Sequence, residues 1–216
     1  MKLWVIFAAL IAAEASAIFS PVTALSSPVG EQSAPSDTLG AINVTSDSAP
    51  GWLPSASQRQ EVLEVTSEYF SALDGGQYQR AYAMMTDGQR SLLSLVQFSQ
   101  NNREYNERFG ALKRRLILKV TWTKDPASAP YPGVYAAIDI AAYFTNVDRH
   151  CGYVVLYQRP SGGRFEIMRQ ESNFIDNTTA QNIERQQSRA ALDRLWSSLS
   201  ANCPNYALAR SSASSP

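Results

Sequence analysis

Apolar residues recur every three or four positions between Ser57 and Gly110, which is the spacing of one face of an α-helix. Ser57 with Gln60, and Ser94 with Gln97, have the form of capping boxes at helix starts. The pattern predicts three helices, whose stripes are Val62, Val65, Tyr69 and Leu73; Tyr78, Ala81, Tyr82 and Met85; and Leu95, Phe98, Asn102, Tyr105 and Phe109. Glycines end each of them, at Gly75-Gly76, Gly88 and Gly110.

From Leu112 onward the hydrophobic period changes from helical spacing to two, which is typical of β-strands. The alternation predicts four strands, at residues 112–123, 133–144, 153–159 and 164–174, joined by short turns. A final helix follows, capped by Asn177 or Thr178 and ended before Pro204, with Leu192, Leu195 and Trp196 on one side. The predicted class is therefore α+β: an antiparallel sheet of about four strands packed against three N-terminal helices and one C-terminal helix, all on one face.

The N-terminal residues have the three parts of a secretory signal peptide. Lys2 supplies a positive charge, residues 3–13 form an apolar run, and Ala15-Ser16-Ala17 offers small residues for cleavage. An uncleaved anchor is the alternative, but about 11 residues at roughly 1.5 Å each cannot cross a bilayer core of about 30 Å. We expect a signal peptide at residues 1–17, a periplasmic or secreted protein, and no stable membrane insertion after cleavage.

The segment from Ile18 to Ser57 is rich in Ser, Pro and Ala, which have little side-chain area to bury. We expect a disordered leader at residues 18–57, a single α+β domain at 58–206 and a flexible tail at 207–216. Removing residues 20–48 should then leave the stability of the domain unchanged. Trp52 is the one bulky residue near the end of this leader, and the sequence leaves open whether it packs on the domain.

Composition narrows the function classes. Lys plus Arg and Asp plus Glu are both 19, so the formal net charge is zero, which argues against a nucleic acid partner. The Lys113-Arg114-Arg115 run reads as a solvated corner between a helix and a strand. The chain contains neither a glycine-rich phosphate loop nor a Gly-x-Ser-x-Gly elbow. We therefore predict no cofactor and assign no catalytic residues.

Two cysteines, Cys151 and Cys203, are present, and in an oxidising compartment such a pair most simply forms a disulfide. A nucleophilic Cys151 assisted by His150 is disfavoured, because neighbours in a strand point to opposite faces. His150 is the only histidine, so no histidine-rich metal site is expected.

Tyrosines alternate with charged residues along the second and third predicted strands, and period two places each set on one strand face. The candidate binding face comprises Tyr135, Asp139, Tyr143, Tyr153, Tyr157 and Arg159. Asp139 could serve as a pocket base with Tyr135 or Tyr143 as hydrogen-bond donor. The apolar residues Val134, Ile138 and Ile140 occupy the other face, so Asp139 is expected to point away from the helices.

Several motifs resemble known families. The run from Leu73 to Tyr82, leading to Met85, resembles the entry to nuclear transport factor 2-like domains. The order of Arg108-Phe109-Gly110, Arg114-Arg115, the 131–135 segment and a Gly-Gly turn before Arg164 resembles the bacterial exported family called domain of unknown function 4019. The similarity covers about residues 58–206. It implies a cone-like fold with a curved sheet around the helices and a periplasmic location, but no activity.

Two functions of different classes remain. The first is a non-catalytic exported module that binds an envelope protein or a small ligand, indicated by the missing catalytic constellation and the tyrosine-rich face. The second is an isomerase-like or hydrolase-like enzyme that uses a pocket in the interior of the cone. A cavity filled by apolar side chains argues against the enzyme, whereas a polar cavity with a buried Asp favours it.

Overall fold

A computed structural model describes residues 41–203, and the predicted signal peptide, most of the leader and the tail lie outside these residues. The strands are β1 (Asn43–Val44), β2 (Leu112–Lys124), β3 (Val134–Phe144), β4 (Val147–Gln158) and β5 (Glu166–Asp176). The helices are α1 (Ala56–Asp74), α2 (Tyr78–Ala83), α3 (Asp87–Leu92), α4 (Leu95–Phe109), α5 (Asn177–Gln186) and α6 (Arg189–Leu199), followed by a 3₁₀ turn at Ser200–Asn202.

The strands form one open sheet in the order β1-β2-β3-β4-β5. Strands β2 to β5 are an antiparallel meander, as predicted, whereas β1 pairs with β2 in parallel and adds a fifth strand that was not anticipated. Strand β4 begins at Val147 rather than Tyr153, since six residues with weak alternation, including Gly152, also join the ladder. The α+β class is confirmed, and the predicted number of strands was too low by one.

One face of the sheet, here called the inner face, carries the main hydrophobic core. Val134, Ala136, Ile138 and Ile140 alternate along β3 and pack with Val154 and Leu156 of β4. Helix α1 covers them with Val62, Val65 and Tyr69, and Phe98 of α4 belongs to the same cluster. The helical stripes read from the sequence therefore cover the apolar strand face, as expected.

The C-terminal helical region differs from the prediction in number and in position. It is two helices, because Gln187 and Ser188 leave the helical conformation and Ser188 starts α6 as an N-cap. Leu192 and Trp196 of α6 pack against Cys151 of β4. Val154, three residues further along β4, belongs to the core on the inner face. By strand alternation Cys151 points to the opposite, outer face. The helices therefore do not all lie on one side of the sheet.

Side chains cap the starts of the described α-helices except α2, and two of these caps are displaced from the predicted residues. Ser94 and Gln97 form the predicted capping box of α4. Helix α1 uses Ser55 with Gln58 rather than Ser57 with Gln60, and α5 is capped by Asp176, whose carboxylate accepts a hydrogen bond from the Thr179 amide. The short α3 was missed because it has no buried residue and hence no apolar stripe.

Residues 41–55 fall within the segment predicted as leader, yet they contact the domain. Asn43 and Val44 pair with Thr121 and Trp122 of β2, and the Ala49 amide donates to the Lys124 carbonyl at 2.9 Å. Trp52 packs against the main core and is partly buried. The domain thus begins before Gln58, and the expectation that removing residues 20–48 leaves its stability unchanged is corrected, because that deletion removes the pairing of Asn43 and Val44 with β2.

The two cysteines lie at disulfide distance. Cys151 on β4 and Cys203 just beyond the 3₁₀ turn are paired, with their Cα atoms 6.1 Å apart. Around them, Ile175, Leu192 and Trp196 form a separate apolar cluster on the outer face. The ion pair between Arg149 of β4 and Asp193 of α6, at 2.8 Å, lies at the same end of the sheet. Covalent, apolar and ionic contacts together hold α6 against β4.

We expect Cys203→Ser to destabilise the oxidised protein. The two cysteines are 52 residues apart. In the chain-entropy model a loop of about 50 residues contributes about 4 kcal/mol, and engineered cases often give less. Urea denaturation should show a loss of a few kcal/mol, and the variant should match the reduced wild type. Two reactive thiols in the purified wild type without reductant would contradict the pairing.

Residues 41–53 should contribute to the stability of the domain, because they supply backbone hydrogen bonds to β2 and bury Trp52. A chain beginning at Pro54 should be less stable than one beginning at Ala41 by about 1–3 kcal/mol. The chain beginning at Ala41 is the matched reference, since both lack all earlier residues. Equal melting temperatures for the two chains would show that these contacts contribute nothing.

Candidate functional site

A small polar cavity lies between α1, α4 and the inner face of the sheet. Its volume is about 40 Å³. The polar side chains that line it are Asp74, Asn102, Tyr105, Asn106, Arg115, His150 and Gln170. Asn102, Tyr105 and Asn106 reach it together because residues three and four apart share one face of a helix. The Ser94 capping box fixes where that helix starts.

His150, the only histidine of the chain, is 4% exposed in this cavity region. The Tyr105 hydroxyl lies 3.2 Å from His150 Nε2, and the rings of Phe109 and Phe144 pack edge-on against the imidazole. Burial, together with the positive charge of Arg115, lowers the pKa of His150 to about 3. Burial also raises the pKa of Tyr105. Both groups are therefore neutral near pH 7.

Arg115 crosses the interior to meet α1, which corrects the expectation that the 113–115 run is a solvated corner. Its guanidinium contacts both carboxylate oxygens of Asp74 at 2.5 and 3.0 Å, and it stacks over the Phe70 ring at 4.3 Å. The Arg115 side chain is only 13% exposed. The paired carboxylate compensates its charge, which is the condition for burying a guanidinium. Lys113 and Arg114 remain exposed.

Two buried polar atoms at this cavity, Arg115 Nε and His150 Nδ1, have no hydrogen-bond partner among the side chains and backbone of residues 41–203. The cavity has room for about one water molecule, whose share of liquid volume is about 30 Å³. A water there could bond to such groups. A substrate of ordinary size could not enter, because small-molecule sites span about 300–1,000 Å³.

Proton transfer near neutral pH needs a group whose pKa lies near the working pH. His150 titrates far below pH 7, and the Tyr105 hydroxyl far above it. The cavity is polar and contains Asp74, but that carboxylate is committed to Arg115. The arrangement is suited to holding α1, α4 and the sheet together rather than to acid-base catalysis.

The tyrosines and the aspartate of the predicted binding face do share the outer face of the sheet. Tyr135 pairs with Tyr157, and Asp139 pairs with Tyr153, across the β3–β4 ladder. Tyr143 lies further along β3 on the same side. Asp139 thus points away from α1 and α4, so its possible role as a base in the interior cavity is wrong.

Two of these tyrosines hold a loop. The Tyr135 hydroxyl donates to the Tyr131 carbonyl at 2.6 Å, and the Tyr157 hydroxyl donates to the Pro132 carbonyl at 2.8 Å. Their exposures are only 9% and 8%. Gly133 is needed beside them, because a Cβ at this position would lie 2.4 Å from the Gln158 carbonyl. These tyrosines therefore fix the loop between β2 and β3.

Arg159 is not part of the outer face, because it lies beyond the end of β4 at Gln158. Its guanidinium contacts Asp87 at 3.1 Å and Glu166 at 3.3 Å. The contact with Asp87, the first residue of α3, directs the Arg159 side chain toward that helix. It therefore does not act together with the other residues of the predicted face.

The accessible part of the outer face, here called the outer patch, comprises Lys119, Asp139, Tyr143, Tyr153 and Arg169. Arg169 stacks over the Tyr153 ring at 5.6 Å. Burial and the neighbouring Glu171 carboxylate raise the pKa of Tyr153 to about 12, so its hydroxyl keeps its proton. The sequence pattern did not indicate Lys119 and Arg169 as part of this face, because only the cross-strand register brings them beside Asp139 and Tyr153.

Two further properties of residues 41–203 concern metal binding and membrane spanning. No group of three or more His, Cys, Asp or Glu side chains there is arranged to hold a metal ion. Among the helices of that same range, none has both the length and the apolar character needed to span a bilayer.

The burial of neutral His150 predicts a pH-dependent stability. The unfolded chain takes up a proton below about pH 6.5, whereas the folded protein resists protonation until about pH 3. Stability is therefore complete above about pH 6.5 and falls as the pH decreases toward about 3. Between about pH 7 and pH 5 the wild type should lose about 2 kcal/mol through this group. His150→Gln should lack this part of the slope in urea denaturation, and an unchanged slope would refute the assignment.

Comparison with protein families gives one match. Residues 65–170 match the model of the family described as protein of unknown function DUF4019. No curated protein and no solved structure matches the chain. The matched range includes α2, α3, α4, β2, β3 and β4, and parts of α1 and β5. The match supports the family resemblance that the order of the sequence motifs indicated.

Proposed function

We propose that this protein is an exported, non-catalytic binding module of the bacterial envelope, which contacts its partner through the outer patch. The partner is an envelope protein or a small ligand. The proposal of export is supported by the signal-peptide pattern in the sequence of residues 1–17 and by a cysteine pair at disulfide distance. The family resemblance agrees with this location.

One observation carries the choice of the outer patch. Helices cover the inner face, whereas α5 and α6 pack with Cys151 and Ile175 at one end of the outer face. Lys119, Asp139, Tyr143 and Tyr153 are only partly buried. Tyrosine and arginine are enriched at protein interfaces, because each combines a large contact area with hydrogen-bonding groups. A sheet face of this composition suits a polar partner surface.

The alternative enzyme is less well supported. Its active site would be the interior cavity, which has a volume of only about 40 Å³. The cavity is lined by the Arg115–Asp74 ion pair and by the neutral His150. We also propose that the domain has the cone-like fold of the nuclear transport factor 2-like group. Its support is the packing of α1 and α4 over the inner face of a mainly antiparallel sheet, with a polar cavity between them.

The outer patch can be tested with two matched variants of the full chain. Tyr153→Ala combined with Arg169→Ala removes the stacked pair of the patch. Arg103→Ala changes an exposed arginine of α4, the helix that packs over the inner face of the sheet. Each protein is used as bait against an envelope extract, after urea denaturation has shown similar stability.

We expect the wild type and Arg103→Ala to retain the same partner. The double variant should bind that partner at least about tenfold more weakly, which corresponds to a loss of about 1.4 kcal/mol in binding free energy. Equal retention by all three proteins would exclude the patch as the binding surface. If the wild type retains no protein or small molecule when its own concentration is about micromolar, the binding-module proposal is wrong.

A further inference from the structure

A second cleft, of about 590 Å³, lies between α1, α2 and the turn that joins β4 to β5. Its charged lining is Arg80 of α2, Glu68 of α1, and Arg159, Arg164 and Glu166 around the turn. We call these five residues the arginine groove. The volume falls within the range of about 300–1,000 Å³ that small-molecule sites occupy. The groove is separate from the outer patch and from the interior cavity.

The three guanidinium groups come from α2 and from the turn between β4 and β5, and they remain accessible. The side chains of Arg80, Arg159 and Arg164 are 56%, 52% and 58% exposed. Arg80 and Arg164 both contact the Glu68 carboxylate. These hydrogen bonds lower the pKa of Glu68, so it is ionised at neutral pH.

A second group of ion pairs lies beside the first, where Arg159 contacts both Glu166 and Asp87. Asp87 also pairs with Arg90, and its pKa is lowered by Arg159 and Arg90. Arg80 and Arg164 share the single carboxylate of Glu68, whereas Arg159 and Arg90 are balanced by Glu166 and Asp87. A further carboxylate, Glu61, accepts a hydrogen bond from the Phe165 amide at 3.1 Å. Each guanidinium carries five N–H donors. The donors outnumber the carboxylate oxygens that face them.

The rim and floor of the groove leave space for a ligand. Gly162 and Gly163 form the turn with φ of 81° and 98°, and no heavy atom lies within 4 Å of where their Cβ atoms would be. The space where side chains of residues 162 and 163 would stand is therefore open. Phe165 is buried beneath it, and Met84 is half-buried. An apolar floor and a cationic rim are thus adjacent.

We propose that the arginine groove binds a small ligand through an oxyanion, either a phosphate or a carboxylate. Guanidinium forks match the paired oxygens of both groups. The arginines of the resident pairs are more than half exposed and Glu68 is 28% exposed. Ion pairs this open to solvent stabilise a protein little, so a ligand oxyanion can replace Glu68 at Arg164 at small cost. The part of the ligand beyond the oxyanion would lie over Met84 and the turn.

The test uses the ¹⁵N-labelled full chain and three titrants at matched ionic strength: inorganic phosphate, succinate and sodium chloride. We expect saturable amide shifts at Gly162, Gly163 and Arg164 with phosphate, with succinate or with both, and none with chloride. The titrant that saturates identifies the oxyanion as phosphate or carboxylate. Matching shifts with chloride would mean screening of the ion pairs, and would overturn the proposal.

Two variants locate the effect. Arg164→Gln should weaken binding by about tenfold or more, as expected for loss of one charge-assisted contact. Arg185→Gln is the matched control, because Arg185 is an exposed arginine of α5 that bonds to Asn182. Equal affinity in wild type and Arg164→Gln, or no saturable shift with either oxyanion, would exclude the site. Neither result bears on the outer patch, which these variants leave intact.

Discussion

Burial of one face of β3 and β4 beneath α1 and α4 is the constraint on which the rest of the structure depends. The side chains of Ile138, Val154 and Leu156 are completely buried there, as are Val62 and Val65 of the covering helix. Because strand residues alternate, filling the inner face with apolar groups leaves Asp139 and Tyr153 no position except the outer face. The chemistry available to the protein is therefore set by a packing requirement, and its accessible polar groups lie on the far side of the sheet or at the edges of the core.

The sequence predicted the elements that have strong local periodicity. Strand β3 was predicted within one residue of its bounds, and the inner and outer sets of its residues were assigned correctly. The position of Cys151 within β4 was harder to see, because the first residues of that strand lack a clear alternation. The two-residue β1 carries no periodic signal at all, and only its pairing with Thr121 and Trp122 reveals it.

The sites were less predictable than the elements, because they depend on contacts between distant residues. Tyr135 and Tyr157 were correctly placed on one face, but no local pattern shows that their hydroxyls anchor the loop at Tyr131 and Pro132. Arg115 belongs to a basic run that looks like solvated surface. Its partner Asp74 is 41 residues away, so the ion pair follows only from the packing of α1 on the sheet.

The pair between Arg115 and Asp74 also restricts how β2 can align with β3. Arg115 lies opposite Ala142 in the ladder, and only in this register does its side chain enter the interior. A slip of one residue would turn Arg115 outward and bring a neighbour to the inner face, which would leave the Asp74 carboxylate without its cation. Breaking a partly buried pair in this way costs folding free energy, because the remaining charge is partly buried and no longer compensated. An interaction that adds little net stability can thus exclude a misaligned sheet.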